Sequence, residues 1–157
     1  DRSVSRGLGD VYKRQVLDGY VKKAGTNFVL SVGRLIGSQP ELKGEQRLRK
    51  EDIYWEMPRC YQWDITVNLP EGYRISPEGL ERLNVKVEND CGAFIVQATT
   101  EDGTLRIKAE KRINHKTEPV ANWEKLLEIT DAANSYEALS IVFQATINPP
   151  TSPTTGY

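Results

Sequence analysis

The sequence predicts a mostly-β domain: an antiparallel β-sandwich of immunoglobulin-like type with one α-helix before the last strand. Three observations predict it. Apolar and polar residues alternate with period two through most of the chain between Ile53 and Phe143. Turn-forming clusters at Pro70-Glu71-Gly72, Asn89-Asp90-Cys91-Gly92 and Glu101-Asp102-Gly103 cut that alternation into short segments. The period changes once, to three- and four-residue steps after Val120.

Taken in order, Asn27 to Val32 reads as a first strand, closed by Gly33 and Gly37. Ile53, Trp55 and Met57 alternate with Tyr54 and Glu56 until Pro58, which lacks a ladder N–H and ends the run. Tyr61, Trp63, Ile65, Val67 and Leu69 then alternate with Gln62, Asp64, Thr66 and Asn68, the pattern of a strand with one face on a core. Leu83, Val85 and Val87 alternate with Asn84, Lys86 and Glu88 in the next strand. Phe94, Val96 and Ala98 form another, and Asp102-Gly103 supplies the positive φ needed for a hairpin. The returning strand carries Leu105, Ile107 and Ala109 inward, with Arg106, Lys108 and Glu110 facing out.

The helix follows Pro119, which fits a first turn because its missing N–H costs nothing there. Trp123, Leu126, Leu127, Thr130 and Ala133 fall on one face, and Asn134 and Ser135 are expected to end it. It is expected to pack on an open face or to cover a sheet edge, where it would block strand-to-strand association. Leu139, Ile141 and Phe143 form the final strand; Val142 is also apolar, which implies cover on both faces. Seven or so strands are expected in all.

The domain organisation has three parts. Ser5 to Gln15 resembles the translation of a transposase adapter used to prepare sequencing libraries, its last six residues being those of the codons GAT GTG TAT AAG AGA CAG. Residues 1–15 are therefore expected to be non-native, with Val16 the first native residue. Residues 16–147 form the β-sandwich, and 148–157, rich in Pro and Thr, a flexible tail. About 140 residues suffice to bury roughly two-thirds of the unfolded surface.

Composition excludes some functions. The net charge is −1; residues 1–15 contribute +2 (Arg2, Arg6, Lys13 and Arg14 against Asp1 and Asp10), leaving −3. Arg47, Arg49 and Lys50 cluster, but Glu51 and Asp52 follow at once, so no basic face for nucleic acid is expected. No apolar run approaches the roughly 20 residues of a membrane span.

The candidate reactive residues are few. A nucleophilic Cys–His site needs a thiol of lowered pKa beside an oriented imidazole. Cys60 sits in a strand pattern, Cys91 in a turn, and His115, the single histidine, in the loop before the helix. Structural thiols and a solvated histidine are the leading reading, with a Cys60–Cys91 disulfide as the alternative. One histidine and two distant cysteines do not make a zinc set. Asp90 and Asp102 are turn formers outside any calcium-loop pattern. Gly33 and Gly37 are not followed by the Lys-Ser/Thr of a phosphate loop. No catalytic, cofactor or metal residue is therefore expected. Trp55, Tyr61, Trp63 and Trp123 are open to two readings: core packing, which leads, and a sugar-stacking platform.

Gly33-Arg34-Leu35-Ile36-Gly37, Gln39 and Glu41, Leu69-Pro70-Glu71-Gly72-Tyr73, Gly92-Ala93-Phe94, Trp123 and Asp131-Ala132-Ala133 occur in an order that resembles a C-terminal domain of unknown function. That domain follows bacterial transglutaminase-like cores, and the resemblance spans residues 28–143. It implies a larger exported protein of the periplasm or cell surface, whose catalytic Cys, His and Asp lie in a core outside these motifs. The function expected is that of a non-catalytic accessory domain supporting or orienting that core, its partner in the same polypeptide. The alternatives are an independent envelope module binding glycan or peptide, and an immunoglobulin-like spacer.

Overall fold

The structure is a computed structural model that describes residues 16–146. The adapter-like segment 1–15 and the tail 148–157 lie outside the described residues. The chain runs through β1 (Val21–Ala24), β2 (Asn27–Leu30), β3 (Ile53–Tyr54), β4 (Arg59–Asn68), β5 (Tyr73–Ile75), α1 (Pro77–Glu81), β6 (Val85–Asn89), β7 (Gly92–Glu101), β8 (Thr104–Ile113), β9 (Thr117–Glu118), α2 (Trp123–Glu137) and β10 (Ile141–Ala145). The strands make two four-stranded antiparallel sheets, ordered β1-β2-β10-β5 and β4-β8-β7-β6, and the short pair β3-β9.

The two larger sheets share one interior, as the alternation predicts. Phe94, Val96 and Ala98 of β7 and Leu105, Ile107 and Ala109 of β8 are buried against Leu30, Ile141 and Phe143 of the other sheet. The β7–β8 hairpin turns through Asp102 (φ 48°) and Gly103 (φ 73°). Positive φ at both central residues suits the twist of a two-residue hairpin, so the sequence sets this register locally. In β4, an edge strand, Trp63, Ile65 and Val67 are half-buried on the core, while Gln62, Asp64, Thr66 and Asn68 face water.

Helix α2 packs on β6, β7 and the turn at Val32–Ile36, the open-face alternative. Leu126, Leu127 and Ala133 are buried on the expected face, with Ile129 and Tyr136 extending it. Tyr136 meets Phe94 edge-on at 5.8 Å between ring centroids. A smaller cluster of Ile53, Cys91 and Leu126, flanked by Trp55, Ile113 and Trp123, lies beneath the β3–β9 pair.

Several expectations are corrected. The strand from Asn27 stops at Leu30, and Val32–Ile36 forms a 3-10 turn that brings Gly33 against the end of α2. The run from Ile53 pairs only through Tyr54, because β9 offers two partners, and Met57 is exposed. Leu83 is buried but precedes its strand, lying just after α1. That short helix was readable: Ser76 caps it by accepting from the Gly79 N–H at 3.0 Å, and Pro77 occupies its first turn. Strands β1, β5 and β9 lie outside the expected runs and bring the count among the described residues to ten.

Helix α2 runs past Asn134 and Ser135 to Glu137. Asn134 lies within it, and its side-chain amide donates to the Gln39 carbonyl at 3.4 Å. Val142 is 40% exposed, so β10 is covered on one face only. Ile129, Ala133 and Tyr136 of the helix join the core that the two sheets share, and Val142 lies on the uncovered face of β10.

Candidate functional site

The reactive side chains are placed first. Cys60 is exposed and Cys91 buried, and both are free thiols, which removes the disulfide alternative. Strand alternation explains the separation: Cys60 shares the outer face of β4 with Gln62 and Asp64, whereas Cys91 sits in the satellite cluster under β3. Asp90 accepts from the Lys125 ammonium at 3.2 Å, and Asp102 is the hairpin turn residue, so both are accounted for structurally.

His115 is more than a solvated loop residue. Its Nδ1 lies 2.5 Å from Oε1 of Glu118, the one charged side chain that is buried among the described residues. The other carboxylate oxygen of Glu118 accepts from the Asn122 amide at 2.8 Å, and the Cys91 thiol faces the same carboxylate. A thiol, a carboxylate and an imidazole therefore gather in one place, with the carboxylate central.

The electrostatics run opposite to nucleophile activation. Burial, and then the Glu118 carboxylate, push the Cys91 thiol up from its ordinary value. An activated cysteine needs a shift in the other direction. Burial also works against the Glu118 charge, but the bonds from Asn122, His115 and Cys91 outweigh it and hold the carboxyl below its usual range. The cluster ties turn, loop and helix start together around one satisfied anion. Strand alternation does not reveal it because the Cys91 turn meets the Glu118 carboxylate only once the satellite cluster has packed. The spacing His115, Glu118, Asn122 was the available signal. Among the described residues, no three His, Cys, Asp or Glu side chains gather to hold a metal. No helix there is long and apolar enough to cross a membrane.

A second constellation lies at the mouth of the sandwich. Strand alternation puts Arg59, Tyr61 and Trp63 of β4 on the inner side, opposite Ile113, Lys111 and Ala109 of β8. Beyond Trp63 the sheets no longer close over this face. It opens as a cleft of about 450 Å³, bounded by these strands, Ile36 to Pro40, Trp55 and Thr130 of α2. Tyr61 is half exposed and lies 6.1 Å from Trp63, with the ring planes 24° apart. Trp55 and Trp63 are half-buried, and Trp63 also packs on the core. Trp55, Tyr61 and Trp63 thus converge on one opening. Trp123 does not: its Nε1 donates to the Arg47 carbonyl at 2.8 Å within the satellite cluster.

Lys111 is the residue that sequence reading overlooked. With Arg106, Lys108 and Glu110 outward, alternation carries position 111 to the inner face, where Leu105, Ile107 and Ala109 are apolar. A lysine in that series was the signal. Burial depresses its pKa, and its Nζ donates to the Gln39 side-chain oxygen, a neutral acceptor, at 3.1 Å. The cleft lining includes Arg59 as a second cation and no carboxylate.

The motif residues of the resemblance act largely as joints. The Gln39 N–H donates to Glu137 at 2.6 Å, and Arg47 forms a bidentate pair with Asp131 at 2.9 and 2.7 Å, fastening the segment after Gly33 to α2. A Cβ on Gly92 would stand 2.0 Å from the Arg112 carbonyl oxygen. Comparison with known proteins finds one family: the model of a domain of unknown function with a solved structure, DUF3858, matches residues 32–143. No curated protein and no solved structure matches the chain.

Proposed function

The chain belongs to the DUF3858 family, and from that premise we propose that it is a non-catalytic accessory domain of a larger exported protein, orienting a transglutaminase-like core in the same polypeptide. The observation that supports a non-catalytic role is the state of Cys91: buried, raised in pKa, and facing a carboxylate in place of an imidazole. The motif residues Gly33, Gln39 and Asp131 support it, since they serve packing between the 33–47 segment and α2. The same reading places the parent in the periplasm or at the cell surface and treats residues 1–15 as adapter-derived. Recovery of the intact gene tests it. Sequence upstream of Val16 should encode a Cys–His–Asp core, and any other upstream domain would overturn the proposal.

A second reading, an envelope binding module, is favoured by one observation. Trp55, Tyr61 and Trp63 meet Arg59 and Lys111 in a single cleft. On this reading the domain holds a ligand by itself, whatever lies upstream. Ligand pockets of about 300–1,000 Å³ are lined by aromatics with a few placed polar groups, which this cleft matches in size and character.

A further inference from the structure

We propose that the cleft at the sandwich mouth binds a carboxylated sugar, with Lys111 as the anchor for the acid group. The proposal deepens the binding-module reading. It is independent of the accessory-domain reading, which the upstream gene alone decides.

The site begins with a charge in an uncomfortable place. Lys111 occupies a core-face position on β8, where burial disfavours its ammonium. Its identified acceptor is the neutral Gln39 oxygen. An ammonium has three donors, so Gln39 leaves capacity for an anion. A half-buried lysine kept only for folding would be expected to face a carboxylate, and none lines the cleft. Arg59, opposite Ile113 in the next inward register pair, adds a second positive group at the rim.

The remaining walls select among anions. Trp55, Tyr61 and Trp63 present aromatic surface, which suits the C–H faces of a pyranose ring and gives no purchase to a bare inorganic ion. Ser38, Gln39 and Thr130 add neutral donors and acceptors for hydroxyl groups. Aromatic faces, neutral polar groups and a cation pair together fit the ring, the hydroxyl groups and the carboxylate of a uronic acid.

The test uses the full chain, titrated with digalacturonate, with neutral galactobiose and with a short glutamate peptide, and followed by calorimetry and tryptophan fluorescence. Digalacturonate should bind about ten-fold or more tighter than the neutral sugar, the scale of one charge-assisted hydrogen bond. Lys111→Met should abolish that preference, whereas Lys108→Met, on the outer face of the same strand, should leave it intact. Lys111→Met should also melt no lower than the parent, because the substitution removes a desolvated charge. Equal affinity for acidic and neutral sugars, absence of sugar binding, or tighter binding of the peptide would overturn the proposal. A lower melting temperature for Lys111→Met, with sugar preference unchanged, would make Lys111 a structural residue and overturn it as well.

Discussion

Gly33 lies against the carbonyl oxygen of Tyr136 so closely that a Cβ built on it would stand 1.9 Å from that oxygen. The contact is backbone to backbone, so no rotamer change can relieve it. It lets the 3-10 turn at Val32–Ile36 seat on the last turn of α2, where the Gly33 N–H also donates to the Leu139 carbonyl at 3.0 Å.

Gly33→Ala is therefore expected to destabilise the domain by about 1–3 kcal/mol, the range for overpacking a close contact. Gly25→Ala makes a control, because Gly25 (φ +64°) has open space around its Cβ position. Its cost is the left-handed backbone alone, about 1–2 kcal/mol. Urea denaturation of both variants checks this. A lower midpoint for Gly25→Ala than for Gly33→Ala would contradict the packing role.

Glu118 predicts a pH dependence. Its folded pKa is lowered, so its contribution is present above the unfolded carboxylate value and is lost as pH falls through the folded value. Glu118→Gln should cost about 1–3 kcal/mol at neutral pH, as expected on weakening a buried hydrogen-bonded charge. The gap between parent and variant should narrow as the pH is taken into the acid range. A gap of constant size from neutral pH to pH 3 would count against the assignment.

The two thiols should differ sharply in reactivity. Cys60 is exposed, whereas Cys91 is buried with its thiol raised in pKa. A thiol reagent should modify Cys60 in the native protein and reach Cys91 only when denaturant is added. Mass spectrometry after brief labelling reads the sites directly. Rapid native labelling of Cys91 would show an accessible thiol that this fold does not provide.

The faces of β10 give the last prediction. Phe143 is buried in the main core, while neighbouring Val142 is 40% exposed. Phe143→Ala should cost about 3–5 kcal/mol and Val142→Thr less than about 0.5 kcal/mol. A large effect at Val142 would mean that something covers the outer sheet in solution.

How much was legible follows from what each feature depends on. Asp102-Gly103 and the flanking alternation gave the β7–β8 hairpin, because turn conformation and strand pleat are properties of neighbouring residues. Ser76-Pro77 marks the start of α1 by an equally local cap. The limits of β3 were not legible, since they depend on the length of β9, more than sixty residues away.

The candidate sites divide in the same way. Alternation already placed Tyr61 and Trp63 on one face, and it implied that Lys111 joined the inner side. It did not say that Ile36 to Pro40 and Trp55 stand around an opening there, because that depends on how the 33–47 segment fastens to α2.

The sequence by itself determined the strand faces, the central hairpin and the buried side of the helix, since backbone geometry fixes side-chain direction within a few residues. Tertiary structure alone decided which faces were covered. It buried Glu118 between His115 and Asn122, left Val142 in water and opened the cleft over Lys111. Cover depends on contacts between segments far apart in the chain, and periodicity carries no information about them.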